Sequence, residues 1–466
     1  MTLDWQKLAG NYRDQYIEDL TALVAIDSAR DDSLATQAEP LGPGPAAALK
    51  KFLEIGQRDG FTVKNLDNLA GYIEFGDGDE TLAVLSHVDQ MPAGEGWETD
   101  PYTLTEKDGN LYGRGTSDDK GPGLAAYYGL RMLKDNGISL GRKVRLILGT
   151  DEESNWTGMT HYMEVEPAPT LGFSPDAEFP LINGEKGNVT FEVEFKGENA
   201  GNLTLVSFHS GLRENMVPRD AVADVKTTEV SQMQAEFETF LAEEPVTGEV
   251  ETNADGLHFH IIGKAAHGME PKLGVNAGTY LAKFLNQYPF GGDAEDFLSL
   301  IATKLHDDSR ANQLEIAYTD DVMGDLTMNV GIMNFDANAG GKVNTNFRYP
   351  KGVGPAEIRE GLSAATRQMA VTIEKGREMK PHYVDPSDPI VSTLMAIYKR
   401  QTGETDAQPE VVGGGTYGRL MERGVAFGAL FPWTPSTMHQ ANEYQPVSDL
   451  LRAMAIYGES IYELAK

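Results

Sequence analysis

In the first part of the chain, short apolar segments alternate with amphipathic segments. Short apolar runs at residues 82–85, 144–148 and 170–173 are bounded by polar residues, which predicts buried strands. Between these runs, apolar residues recur at helical spacing. The helices predicted in this way cover residues 4–26, 46–53 and 123–133. Strands that alternate with helices indicate a mostly parallel, covered sheet in the first 185 residues.

The pattern changes after residue 185. Val189, Phe191, Val193 and Phe195 alternate strictly with polar residues, which is typical of a strand with one solvated face. Similar segments fill the middle of the chain, with strands predicted at 257–262, 327–334 and 343–349 and helices at 231–243, 275–287 and 356–375. This part of the sequence predicts an α+β domain with an antiparallel sheet.

Near residue 381 the first pattern returns. A helix is predicted over residues 390–402 and a buried strand over residues 425–430. We therefore predict an α/β fold with an insertion. Residues 1–185 and 381–466 would form a catalytic domain with a mostly parallel sheet, and residues 186–380 an inserted α+β lid domain with an antiparallel sheet.

Composition restricts the classes of partner. The 466 residues exceed what one compact core usually holds, which agrees with two domains. The net charge of −32 argues against nucleic acid and anionic membranes as partners. The sequence has no cysteine, so thiolate ligands and disulfides are excluded. We find neither an apolar signal segment nor a run of transmembrane length, so a cytoplasmic protein is expected.

Acidic and histidine residues cluster where the predicted strands end. Ligands of open α/β sheets bind at the carboxyl ends of the strands. Carboxylates and imidazoles gathered there, without thiolates, are suited to a hydrolytic site for divalent metals. The clusters comprise His87 and Asp89, Glu152 and Glu153, and Asp176 at strand ends, His439 in the loop after residue 430, and Asp118 just before a helix.

Each cluster has an ordinary structural interpretation when it is taken alone. His87 and Asp89 could form a surface hydrogen bond, and adjacent glutamates are usually solvated. Asp118 could belong to an acidic helix N-terminus that complements the helix dipole. The co-occurrence of the clusters in this order is what favours a metal site.

The ordered motifs resemble those of the co-catalytic zinc aminoacylase, carboxypeptidase and dipeptidase family, with the bacterial dipeptidases as the most similar branch. The resemblance spans nearly the whole chain, including both predicted domains. Its motifs are Ser-His-x-Asp at 86–89, Gly-Arg-Gly-x-x-Asp-Asp-Lys-Gly at 113–121, Asp-Glu-Glu at 151–153, Ser-Pro-Asp at 174–176, Gly-Lys-Ala-Ala-His-Gly at 263–268, Asn-Phe-Arg-Tyr-Pro at 346–350, Gly-Gly-Gly-Thr-Tyr at 413–417 and the late histidine at 439.

The resemblance implies two divalent metal ions, with zinc expected first and manganese or cobalt as alternatives. His87 and Asp176 would bind one ion, Glu153 and His439 the other, and Asp118 would bridge both. The family usually has a cis peptide after this bridging aspartate, here between Asp118 and Asp119.

The resemblance also implies the catalytic groups. Glu152 would be the base that activates a hydroxide held between the ions, and Asp89 would orient His87. His267 would polarise the scissile carbonyl. The simpler interpretation of His267 is a turn histidine after a strand.

The implied substrate contacts are Arg348, for a terminal carboxylate, and Asn215. For both, a role as an ordinary strand or loop residue remains the alternative. Gly414, Gly415 and Thr416 would bring backbone close to the substrate. A phosphate cradle is the rival interpretation of these glycines, but the Lys-Ser/Thr ending of a P-loop is missing.

The function implied is a dipeptidase that acts as a monomer on dipeptides with a free N-terminus. The alternative is an N-acyl-amino-acid or succinyl-diaminopimelate deacylase, which has the same metal site. The length of the insert at 186–380 favours the monomeric dipeptidases. A catalytically inactive relative that only binds ligands would not explain why all the ligands and the base are present.

Overall fold

A computed structural model describes residues 3–196, 199–200, 203–253 and 256–466. Met1 and Thr2, with which the predicted catalytic domain begins, lie outside the described residues. The chain divides into two compact units, one of Met1–Gly184, Tyr383–Val411 and Gly415–Lys466, the other of Glu185–His382 and Val412–Gly414. Across the described ranges, no helix is both long and apolar enough to cross a membrane.

The sheet of the first unit is mixed, with the predicted parallel strands at its centre. Its path runs through Thr62–Leu66, Ala70–Phe75, Lys143–Gly149, Thr81–His87, Leu171–Ser174, Gly424–Ala426, Ile182–Glu185 and His382–Tyr383, and Glu410–Val412 pairs with Ile182–Glu185. Four central strands are parallel, from Lys143–Gly149 through Thr81–His87 and Leu171–Ser174 to Gly424–Ala426. Their carboxyl ends therefore meet at one edge. The antiparallel pairs lie on both sides of this centre.

Helices cover this sheet and complete a large apolar core. Lys120–Asp135 is buried along almost its whole length and packs against Val447–Ala465. Gly129 permits this approach, because a Cβ there would stand 2.8 Å from the backbone nitrogen of Gly458. The helices of the unit are Trp5–Gly10, Arg13–Val24, Pro43–Arg58, Lys120–Asp135, Thr157–Val165, Pro389–Thr402 and Val447–Ala465.

Two predicted elements of this unit are broken in the structure. The helix predicted over residues 4–26 is two helices, Trp5–Gly10 and Arg13–Val24. The strand predicted over residues 425–430 ends at Ala426, and Ala429–Leu430 instead pairs with Ala177–Glu178. Gly428 lies between the two short strands with φ +78°, and its backbone packs on the ring of Phe179. A left-handed residue cannot continue a strand, so the apolar run is divided.

The second unit contains the predicted antiparallel sheet. Its order is Thr247–Thr252, Gly256–Ile262, Asp220–Lys226, Thr204–Ser210, Thr327–Asp336, Gly340–Tyr349, Gly187–Phe195 and Val371–Met379, with every neighbouring pair antiparallel. The helices Val230–Glu243, Ala277–Leu285, Asp293–Leu300 and Pro355–Ala365 belong to this unit. Phe237 packs on Phe259 and Phe284 with ring centroids 5.0 and 4.9 Å apart, in an apolar core of the unit itself.

The helix predicted over residues 356–375 is wrong in its second half. The helix ends at Ala365, and Val371–Met379 is a strand at the edge of the sheet, paired with Gly187–Phe195. Most of this strand is exposed or half-buried, so it lacks the clear alternation of a buried strand. Pairing with a distant neighbour overrides the local helical pattern.

Short strands complete the two units. Met216–Val217 pairs with Ala266–His267, Asn199–Ala200 with Gly291–Gly292, and Thr319–Asp320 with Gly324–Asp325, while Tyr444–Pro446, Asn110–Tyr112 and Thr105–Lys107 form a three-stranded sheet.

Candidate metal centre

His87 is the last residue of a central parallel strand and is fully buried. Its Nδ1 lies 3.0 Å from the backbone carbonyl oxygen of Asp89. A carbonyl oxygen only accepts hydrogen bonds, so Nδ1 carries the proton of the neutral ring and Nε2 has a free lone pair. This tautomer makes Nε2 the ligand atom.

Asp89 joins two strand ends. Its Oδ1 lies 3.4 Å from His87 Nδ1 and accepts the backbone N–H of Glu152 at 3.1 Å, while Oδ2 accepts that of Glu153 at 3.2 Å. The carboxylate therefore fixes the start of the loop after Lys143–Gly149 beside His87. This arrangement agrees with the predicted orienting role, which stays a prediction.

Asp118 faces both histidines of the centre. It is buried and precedes the helix Lys120–Asp135, and the peptide bond to Asp119 is cis, as predicted. Oδ1 lies 3.0 Å from His87 Nε2, and Oδ2 lies 2.8 Å from His439 Nε2. One carboxylate thus presents an oxygen to each side of the site.

His439 reaches the centre from a loop near the end of the chain. Its backbone is left-handed, with φ +62°, and its side chain is half exposed. Besides Asp118, its Nε2 approaches Glu153 Oε1 at 2.9 Å. Left-handed conformations are uncommon outside glycine and often accompany functional residues, although histidine adopts them more readily than most.

The potential ligand atoms form two compact groups, each with its atoms within 4.8 Å of one another. His87, Glu152 and Asp176 form the first group, and Asp118, Glu153 and His439 form the second. The distance from His87 Nε2 to Asp176 Oδ2 is 3.7 Å. Glu152 stands among the ligand atoms, so position alone does not separate a ligand from a base.

The electrostatics of the cluster favour the binding of positive charge. Burial, and then the neighbouring Asp176, raise the pKa of Glu152 well above its ordinary range. Burial and Asp118 act in the same way on the pKa of Asp176. Burial lowers the pKa of His439, but contacts with Asp118 and Glu153 outweigh it and raise that pKa to about 11. Four carboxylates in one small buried volume repel each other, and either protonation or bound cations relieve that repulsion.

Two further observations show that these residues fit divalent metals. Glu153 Oε1 is buried and receives no hydrogen bond, although His439 Nε2 is close. His87 Nε2 likewise lies 3.0 Å from Asp118 Oδ1, a separation that two ligand atoms of one ion would have. Tetrahedral zinc places its N and O ligands about 3.3 Å apart. The observed ligand separations of 2.8 to 3.7 Å surround that value.

Sequence reasoning gave Asp119 and Lys120 no role in the site, yet both support it. The Oδ2 atom of Asp119 accepts hydrogen bonds from the hydroxyl of Ser86 at 2.5 Å and from the backbone N–H of His87 at 3.2 Å. Lys120 is fully buried, donates to Gln90 Oε1 at 2.6 Å, and has its pKa lowered to about 7 by burial. Only the Asp-Asp-Lys string preceding the helix could have indicated them.

Asn215 and His267 belong to the second unit, where they lie close together. The backbone N–H of Gly268 donates to Asn215 O at 2.7 Å. His267 is exposed, and its Nδ1 accepts the backbone N–H of Met269 at 3.1 Å. In the neutral ring this leaves the proton on Nε2, so Nε2 can act as a donor.

Arg348 is also in the second unit, on the strand Gly340–Tyr349. It is 6 % exposed, and Nε and Nη1 donate to Asn346 Oδ1 at 3.1 Å and to Gly413 O at 2.9 Å. These bonds fix the plane of the guanidinium.

The glycine-rich segment divides between the units. Gly414 belongs to the second unit, and no described atom outside residues 413–415 lies within 4 Å of the place where its Cβ would stand. Gly415 and Thr416 belong to the first unit. The hydroxyl of Thr416 accepts the backbone N–H of Gly418 at 3.1 Å, so it caps the turn that follows. Roles for these residues in substrate binding stay predictions.

Comparison with known proteins gives a consistent result. The sequence model of peptidase family M20/M25/M40 matches residues 83–463. The β-Ala-Xaa dipeptidase of Lactobacillus delbrueckii subsp. lactis is 42% identical over 469 residues, covering 100% of this chain and 99% of that protein. This similarity extends over both units.

Solved structures share the fold. Human carnosine dipeptidase 1 superposes with a TM-score of 0.59 at 15% identity, covering 99% of this chain and 98% of the other. An M20 family metallo-carboxypeptidase from Sulfolobus solfataricus gives a TM-score of 0.58 at 16% identity, covering 96% and 98%. At these identities the likeness concerns the fold alone.

Proposed function

Because the chain belongs to peptidase family M20/M25/M40, we propose that it is a metal-dependent dipeptidase acting mainly on dipeptides with a free N-terminus. The observation that carries this proposal is the buried carboxylate of Asp118, which presents one oxygen to His87 and the other to His439. The full-length relative named β-Ala-Xaa dipeptidase supports the choice of substrate.

We propose that His87, Asp118 and Asp176 hold one divalent ion and Asp118, Glu153 and His439 the other. Zinc is the first candidate, since imidazole and carboxylate ligands suit it, and manganese or cobalt are alternatives. Such ions polarise a scissile carbonyl and acidify water. Glu152 would accept the proton of the attacking water and return it to the leaving amine. We also propose a cytoplasmic location for the protein.

In the second unit, His267 would donate from Nε2 to the carbonyl oxygen as negative charge develops there. Preorganised donors of this kind stabilise the transition state because they need no reorientation. The backbone N–H of Met269 holds the ring in the tautomer that this role requires.

The substrate class is tested by a panel of free dipeptides, tripeptides, and N-acetyl and N-succinyl amino acids, each assayed with zinc and with manganese. We expect dipeptides to give the highest kcat/KM and prior chelation to abolish the activity. If an N-acyl amino acid were cleaved better than every dipeptide, the protein would be a deacylase instead.

Arg348→Ala is expected to lower kcat/KM for dipeptides by about 10- to 100-fold, because a charge-assisted bidentate contact to the substrate carboxylate is lost. Dipeptide amides, which lack that carboxylate, should be hydrolysed by the variant and the parent at similar rates. Arg359→Ala, an arginine on the nearby helix Pro355–Ala365, serves as the control. An equal loss of kcat/KM for dipeptides and for dipeptide amides would show that Arg348 only stabilises the fold.

We expect a monomer, with His267 acting within its own chain. Equimolar mixing of His267→Ala with Glu152→Gln, each nearly inactive alone, should then leave activity at the level of the separate variants. Light scattering should give the mass of a single chain of 50.8 kDa. Recovery of activity in the mixture would indicate that subunits share the site.

A further inference from the structure

Glu443 is a fully buried glutamate that neither motif matching nor strand ends indicated. Its side chain is 0 % exposed, and that of its partner Arg114 is 2 % exposed. Burial raises the pKa of Glu443 to about 7, while Arg114 and the backbone N–H of Ser117 act in the opposite direction. A buried carboxylate is costly unless it is paired and hydrogen-bonded, so its partners indicate what it is for.

Both oxygens of Glu443 bind the segment that carries Asp118. Oε1 accepts three backbone N–H groups, from Gly115 at 3.1 Å, Ser117 at 2.8 Å and Asp118 at 3.1 Å. Oε2 accepts Arg114 Nη1 at 2.6 Å. One side chain therefore fixes the backbone of three residues of this segment, Asp118 among them, together with the side chain of Arg114.

The backbone around Glu443 strengthens the same connection. Its carbonyl oxygen accepts the N–H of Gly113 at 3.0 Å, and the following Tyr444–Pro446 pairs with Asn110–Tyr112. Glu443 lies four residues after His439. It thus links the loop of one candidate ligand to the loop of another, and those ligands are 2.8 Å apart at Asp118 Oδ2 and His439 Nε2.

We propose that Glu443, with Arg114, is a positioning residue that sets the separation of Asp118 and His439 and so determines the affinity for the ion held by Asp118, Glu153 and His439. The other ion has only Asp118 on these two segments, because His87 and Asp176 lie elsewhere, so it should depend less on Glu443. This inference rests on the proposed metal centre. It concerns metal affinity, whereas the substrate class is a separate question.

The test compares Glu443→Gln with Asp19→Asn, which changes a matched carboxylate. Asp19 is also buried, and it accepts two hydrogen bonds from Arg58 at 2.7 and 2.8 Å. It differs from Glu443 in accepting a further hydrogen bond from the hydroxyl of Tyr128 and in having no contact with a candidate ligand. Each substitution replaces a charged oxygen by an amide group of the same size. Both variants should therefore lose stability, but only Glu443→Gln should lose metal affinity.

Metal-free protein is titrated with zinc by calorimetry, and unfolding is followed by circular dichroism. The parent should bind two ions. Glu443→Gln should bind one of them at least 10-fold more weakly and the other with little change, and anomalous diffraction should place the weakened ion at His439. Asp19→Asn should bind both ions as the parent does, even where its Tm falls.

Parent-like affinity for both ions in Glu443→Gln would overturn the proposal. An equal weakening of both ions would also overturn it, since a general loosening of the fold would explain that result. If Glu443→Gln does not fold, the double variant Arg114→Gln with Glu443→Gln, which leaves no unpaired buried charge, is titrated in its place under the same criteria. Dipeptide hydrolysis is measured on the same parent sample to separate this proposal from the proposed function. A parent protein that binds two ions but does not cleave dipeptides would refute the dipeptidase function and leave the role of Glu443 in metal binding intact.

Discussion

Glu152→Gln is expected to keep both metal ions and to lose about 10²- to 10⁴-fold in kcat, the usual contribution of a general base. The amide keeps the size of the side chain but cannot accept the proton of the attacking water. Glu152 lies in one compact group with His87 and Asp176, so the structure alone allows it to be a ligand. Metal content per chain and kcat, measured on one preparation, distinguish the two roles.

The adjacent Glu153→Gln provides the matched comparison. Glu153 Oε1 approaches His439 without receiving a hydrogen bond, as a ligand atom would. This variant should therefore bind less metal, and added zinc should restore part of its activity. If Glu152→Gln lost metal while Glu153→Gln retained it, the roles of base and ligand would have to be exchanged.

Asp118→Ala is expected to lose both ions and essentially all activity. The reason is the position of its two oxygens, one beside each histidine, which makes this carboxylate common to both groups. Asp176→Ala should lose one ion only, because Asp176 approaches His87 and belongs to the same group of ligand atoms. Elemental analysis after dialysis measures both cases, and a single ion retained tightly by Asp118→Ala would exclude a shared carboxylate.

Much of the candidate centre could be predicted because its residues follow local apolar runs. His87 ends a strand, and Glu152 and Glu153 follow the strand beside it, so pairing of two recognisable strands brings them together. Chain order and strand ends are properties of short segments. They can be found without knowing the packing.

What could not be predicted depends on contacts between distant segments. Glu443 binds Arg114 across 329 positions of the sequence, and nothing in its own neighbourhood indicates burial. The edge strand Val371–Met379 is a strand only because Gly187–Phe195 pairs with it. Gly428 divides an apolar run because the ring of Phe179 packs on it. In each case the partner, and not the local pattern, determines the outcome.

The first unit is built from segments on both sides of the second, and this has a consequence for synthesis on the ribosome. Glu185–His382, nearly all of the second unit, emerges as one uninterrupted stretch that can fold as translation proceeds. The central strand Gly424–Ala426 and His439 emerge afterwards. A nascent chain therefore lacks both the last central strand and one candidate ligand until well after the second unit has emerged. Chains truncated before Gly424 would contain a folded second unit and an unpaired edge in the sheet of the first unit. We expect such chains to aggregate and to lack hydrolytic activity.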